Sequence, residues 1–280
     1  MSARAVAFAT ALVLAPSLVD AQGPCVGRDV PRNSVDALAD CLSDPNPDIR
    51  DGIAFDGLSK LLRSGSLEAS ALRALNDRLT VAVTRGGTAL QTSFPALALA
   101  EVARTDRLKP WMTDLEREAM VDTAARFLST IADYRAFTQA DGYLHGVAHG
   151  ADFALQLALN PAVTKAQLDR LLAAIATQVA PKDPDVAYWA GEPDRLARAV
   201  IFIAQRKLHS DEAWKAWFAT MMNPTPLPAW DAAFKSEAGI RKRHNVRAFL
   251  LSVFATATTS EDAGIRQLLT PTRDALGSVP

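Results

Sequence analysis

His145-Gly146-Val147-Ala148-His149-Gly150-Ala151-Asp152 is where this chain concentrates side chains able to do chemistry. On a helix the second histidine lies about 40° round the axis from the first, and the aspartate about 20° the other way. That face carries two imidazoles and a carboxylate, in a chain with only four histidines. Three readings fit the pattern. His145, His149 and Asp152 can hold one divalent metal ion and leave a position for an activated water. The same groups can position an organic or peptide ligand. They can also satisfy one another and the backbone, as a polar lock between packed helices. The small residues Gly146, Ala148, Gly150 and Ala151 would let a neighbouring element approach closely.

The hydrolase form of the metal reading departs from the usual helix motif, which places Glu directly after the first His; Gly146 stands there. Other polar residues extend the candidate site. Asp133-Tyr134-Arg135 precedes the motif, and Arg135 is a further ligand-binding candidate. Glu192-Pro193-Asp194-Arg195 opens another expected helix, with Glu192 or Asp194 available as a base. Arg195 can clamp a carboxylate or phosphate, or pair with Asp152 or Glu192. His244 beside Asn245 is a weaker candidate, and His209 at a helix junction is expected at the surface. Trp214 and Trp217 read as core or interface residues, with stacking on a sugar or other ligand as the alternative. No G-x-S-x-G elbow, Walker loop or dinucleotide fingerprint occurs.

The elements that must position these groups read as helices almost throughout. Alanine and leucine dominate, and β-branched alternation is nearly absent. Asn46 can cap a helix in which Pro47 suits the first turn and Asp48 complements the dipole. Its apolar face is Ile49, Ile53, Ala54, Leu58, Leu61 and Leu62, and Gly65 ends it. A second helix runs from about Glu68 to Thr84, with Leu72, Leu75, Leu79 and Val83 inward, and Gly86-Gly87 stops it. This pair resembles a HEAT-type helical hairpin, in which a D-P-x-x-R start is common. Further helices are expected over 91–104, 113–133, 144–158, 164–179, 194–208, 210–222, 238–258 and 261–276. The loops 181–193 and 223–230 each hold three prolines and at least one aromatic residue, which is expected to pin them to the body. The fold class is all-α: an irregular α–α superhelix of stacked hairpins, HEAT/armadillo-like, with a compact globular helical bundle as the alternative.

Residues 1–21 read as a signal peptide, with Arg4 ahead of an apolar stretch and Val19-Asp20-Ala21 as the cleavage site. The mature chain then starts near Gln22, in a periplasmic or secreted setting. Residues 22–43 form an N-terminal segment with the first helix, and 44–280 one helical-repeat-like domain. Export permits a Cys25–Cys41 disulfide stapling the mature N-terminus to that helix, with two free thiols as the alternative. The 30 basic and 31 acidic residues form no basic patch that would suit nucleic acid. No apolar run after residue 21 is long enough to span a membrane.

The motifs together resemble a bacterial family designated domain of unknown function 2785. The resemblance rests on Asp44-Pro45-Asn46-Pro47-Asp48-Ile49-Arg50-Asp51, Ser93-Phe94, Asp133-Tyr134-Arg135, the His motif, Glu192-Pro193-Asp194-Arg195-Leu196, and Asn245 with Phe249-Leu250. The family pattern has Arg, Gly and Trp where Thr92, Ala136 and Tyr143 stand. The resemblance implies an α-helical fold and carries no established activity. Because a stack of helical hairpins offers a concave inner face, the expected function is binding of a small molecule, peptide or protein partner in a polar cleft at His145, His149, Asp152, Arg195 and Arg135. Metal-dependent hydrolysis and a purely structural or interaction role are the alternatives.

Overall fold

Side chains that satisfy the free N–H groups of the first turn choose where the helices begin. The computed structural model describes Cys25, Gly27 and residues 29–280, so the expected signal peptide lies outside the described residues. Asn46 caps α2 (Pro47–Ile49), as its sequence context requires, after a short α1 (Val35–Asp40). A π-helical turn, Arg50–Phe55, joins α2 to α3 (Asp56–Ser64), and Gly65 in the left-handed region ends that helix. The sequence pattern presents these three pieces as one continuous helix. After α4 (Ala69–Thr84), capping boxes built from Thr88 with Gln91, Thr113 with Glu116 and Thr164 with Gln167 open α5 (Ala89–Leu108), α6 (Asp114–Thr130) and α8 (Lys165–Val179). Between α6 and α8 lie strands β1 (Phe137–Thr138) and β2 (Gly142–Tyr143), then α7 (Gly146–Ala158). The remaining helices are α9 (Glu192–Gln205), α10 (Asp211–Met221), a 3-10 turn at Trp230–Lys235, α11 (Glu237–Thr259), α12 (Ala263–Arg266) and α13 (Leu269–Ser278).

The class is all-α. Helices pack in two rows: α5 on α7, α7 on α9 and α9 on α11 in one, and α4, α6, α8 and α10 in the other. One apolar core runs between them, from Leu38 and Leu58 through Leu99, Phe153 and Ile175 to Phe249 and Leu250. The expected inward face of α4 is buried at Leu72, Leu75, Leu79 and Val83. Cys25 and Cys41 form the expected disulfide.

Three local features differ from the sequence reading. The segment before the motif is a small hairpin, with Phe137 opposite Tyr143 and Thr138 opposite Gly142, where a plain loop is expected. Its turn is held from outside: the Arg50 guanidinium donates to the carbonyls of Asp141 (2.8 Å) and Tyr143 (3.0 Å). The last expected helix is divided into α12 and α13, because Pro271 has no N–H to offer the Gln267 carbonyl. Pro95 likewise frees the Gln91 carbonyl but leaves α5 undivided, and the Ser43 hydroxyl donates to that oxygen at 3.2 Å. Of the proline-rich loops, Tyr188 and Trp230 are buried as expected, whereas Trp189 is 69% exposed.

Candidate functional site

His145 is not on the α7 helix. It is the residue before it, in the left-handed region at φ 50°, ψ 37°, so the expected two-imidazole helix face is replaced by one helical histidine and one at the cap. The cause is the hairpin: the Ala136 carbonyl accepts from both Leu144 N (2.8 Å) and His145 N (3.2 Å), turning the chain into α7. The His145 ring leaves the helix axis and reaches the loop before α9, where Nε2 donates to the Ala190 carbonyl at 3.0 Å. Burial lowers its pKa below the ordinary value of 6.5, against the raising effect of the Glu192 charge.

His149, one turn into α7, points to α5 instead. Its Nδ1 donates to the Ser93 carbonyl of α5 at 3.1 Å, and its ring meets Phe94 edge-on at 4.9 Å. It is 7% exposed, and burial together with the neighbouring His145 pushes its pKa down to about 3. Both imidazoles are thus neutral at pH 7, as opposite tautomers, because a carbonyl can only accept. Among the described residues neither His145 Nδ1 nor His149 Nε2 has a hydrogen-bond partner, and the two rings stand 6.0 Å apart at 85°. The pair therefore offers two lone pairs in fixed orientation.

Asp152, a turn further on, faces α9 and pairs with the Arg195 guanidinium. Burial raises its carboxyl pKa, with Arg195 and Arg198 opposing. Glu192 at the start of α9 is buried, and its Oε2 accepts from Ala190 N at 2.9 Å, fixing the carbonyl that receives His145. Polar links from α7 thus tie three segments: to α5 through His149, to the loop before α9 through His145, and to α9 through Asp152.

Arg50 is the residue that sequence reading missed. It is completely buried, donates also to Asp51 Oδ1 (2.7 Å) and the Asp44 carbonyl (3.3 Å), and lies 4.6 Å over the Phe94 ring. The available signal was an arginine directly beside the apolar stripe of Ile49, Ile53 and Ala54. It holds the hairpin, and the hairpin presents exposed Tyr143, whose ring meets Phe137 at 5.1 Å and His145 at 4.9 Å.

The other predicted residues fall outside this group. Arg135 pairs with Asp133, which also accepts from Ala89 N at 2.9 Å and has its pKa drawn down to about 2, chiefly by that arginine. His209 is buried rather than at the surface: Nε2 meets Asp169 at 2.8 Å, and the ring packs on Trp214. His244 binds the Tyr188 carbonyl, and Asn245 braces the same loop through Tyr188 N and Val186 O. Trp214 is core, and Trp217 donates to the Leu172 carbonyl.

His149 is buried, whereas His145 and Asp152 are partly exposed, and a cavity of about 220 Å³ touches the motif at Gly146, beside Thr92 and Asp133. His145, His149 and Asp152 do not form a three-ligand metal set: Asp152 is turned to Arg195, and among the described residues no group of three or more His, Cys, Asp or Glu could hold an ion.

Fold and site together define an all-α protein in which a polar knot ties α5, α7 and α9 of one row together, with one histidine at its edge. The chain belongs to the family described as Protein of unknown function (DUF2785), whose model matches residues 86–254, from the start of α5 into α11. No curated protein and no solved structure matches it.

Proposed function

We propose that this chain is a binding protein that holds a hydrogen-bond-donating ligand at the edge formed by His145, Tyr143 and Arg195. The observation that carries the reading is the state of His145. A non-glycine residue in the left-handed region costs about 1 kcal/mol, and such strain concentrates at functional positions. Its Nε2–H is committed to Ala190, which fixes the tautomer and leaves Nδ1 as a free acceptor on a half-buried ring beside an exposed tyrosine. Trp189, next in the chain to Ala190, adds an exposed aromatic surface. Acceptor nitrogens bordered by aromatic rings suit amines, amino sugars and hydroxyl-rich rings.

A second reading applies to His149 and Asp152: they are positioning residues. The burial of His149 and the Asp152–Arg195 pair favour it. The hydrolase alternative would need a third ligand from outside the motif, since Asp152 already serves Arg195. Export, expected from residues 1–21, is supported by the Cys25–Cys41 disulfide, a bond that persists in oxidising compartments. An irregular α–α superhelix is supported by the two-row packing.

Titration of histidine-labelled protein with glucosamine, polyols and short peptides, followed by nitrogen NMR, tests the proposal. Binding should move the His145 Nδ1 resonance, and His145→Ala should weaken it at least tenfold without unfolding the chain. No response at His145 to any of these probes would overturn it.

A further inference from the structure

A cavity of about 380 Å³ lies at the opposite end of α5, between the α3–α4 turn and the α5–α6 connection. Its wall is apolar: Leu62 and Leu72 are buried beneath it, Trp111 closes one side, and Leu108 stands 59% exposed at its mouth. Trp111 is fixed there by its indole N–H, which donates to Thr105 Oγ1 at 2.9 Å.

The polar rim is lopsided. Arg63 is committed to Glu101, with Nε to Oε2 at 2.9 Å. Arg104 and Lys109 have no ion pair and no side-chain hydrogen bond among the described residues, and Glu68 is the one acidic residue lining the cavity. Cations in a last helical turn are favoured by the carbonyls there, which accounts for some of this charge. It does not account for an open apolar chamber beneath two unpaired cations. A volume of this order is in the range that small ligands occupy.

We infer that this cavity binds a small amphipathic anion, a carboxylate on an apolar chain or ring. The apolar part lies against Leu62, Leu72 and Trp111, and the carboxylate meets Arg104 and Lys109. The site is separate from the histidine knot: Ser93 and Arg104 are about 16 Å apart along α5 at the helical rise per residue. Success or failure here therefore leaves the reading of His145 untouched.

Three probes of equal chain length separate charge from hydrophobicity: octanoate below its micellar concentration, octanol and octylammonium. Each is titrated into the full chain by calorimetry and tryptophan fluorescence, with Trp111→Phe identifying the reporter. Octanoate is expected to saturate one site, octanol to bind at least tenfold more weakly, and octylammonium not to bind. Arg104→Gln with Lys109→Gln should remove the preference for octanoate over octanol at unchanged Tm. Lys109→Gln alone, at an exposed position, should reduce it several-fold, which keeps the test sound if the double variant folds poorly. Equal affinity for octanoate and octanol, an unchanged preference in both variants, or no saturation would overturn the inference. So would sedimentation with phosphatidylglycerol vesicles in the absence of octanoate binding, which would assign the charge to a lipid surface.

Discussion

Replacing His149 by Gln should change the pH dependence of stability more than stability itself. The amide of Gln can still donate to the Ser93 carbonyl, so the α5–α7 link is retained near neutrality, while the titrating group is lost. In the folded chain His149 has a pKa of about 3, against an ordinary 6.5. The folded value is the lower one, so the unfolded chain takes up the proton first as pH falls. The contribution of a neutral His149 is therefore complete above pH 6.5 and drains away as pH falls toward 3. Linkage over one proton between pH 7 and pH 4.5 removes about 2.5 kcal/mol. Urea unfolding followed by circular dichroism should show the stability of the parent relative to His149→Gln falling by about that amount across this interval. Because pH 4.5 is still above the folded value, the figure changes little if that value is a unit higher. The lowered pKa of His145 acts in the same direction, and so does that of Asp133, but both are present in parent and variant and cancel. A difference that stays flat from pH 7 to 4.5 would refute the claim that this imidazole is held neutral by burial.

Gly150→Ala should destabilise the chain by about 1–2 kcal/mol, the overpacking cost less the gain in helix propensity, measured by urea unfolding. The added Cβ would stand 2.7 Å from Leu128 Cδ2 and 3.1 Å from Phe127 Cδ1. Arg50→Met should cost about 3–5 kcal/mol, since it leaves the Asp44, Asp141 and Tyr143 carbonyls without their donor. Hydrogen exchange should then accelerate first in the 137–143 hairpin.

Much of the frame is legible in the sequence because its signals are local. Asn46 and Pro47 mark a helix start, Gly65 a stop, and the spacing of Leu72, Leu75, Leu79 and Val83 gives the buried face of α4. The small residues of the motif also did what their size implies: Gly150 lies directly against Leu128 and Phe127 of α6. The parts that escaped depend on partners distant in sequence. His145 leaves the helix because Ala136 captures its N–H, and nothing in the spacing of two histidines carries that information. Arg50 looks like the polar start of an ordinary helix until the hairpin at 141–143 supplies its acceptors. Asp152 looks like a third ligand until α9 brings Arg195 to it, and His209 looks exposed until Asp169 and Trp214 enclose it.

The most direct test of the site is the protonation state of its two histidine rings, read by long-range nitrogen–proton NMR on histidine-labelled protein at pH 7. His145 should carry its proton on Nε2 and His149 on Nδ1, both neutral, leaving His145 Nδ1 and His149 Nε2 bare. A shared tautomer, or an imidazolium at either position, would contradict the account.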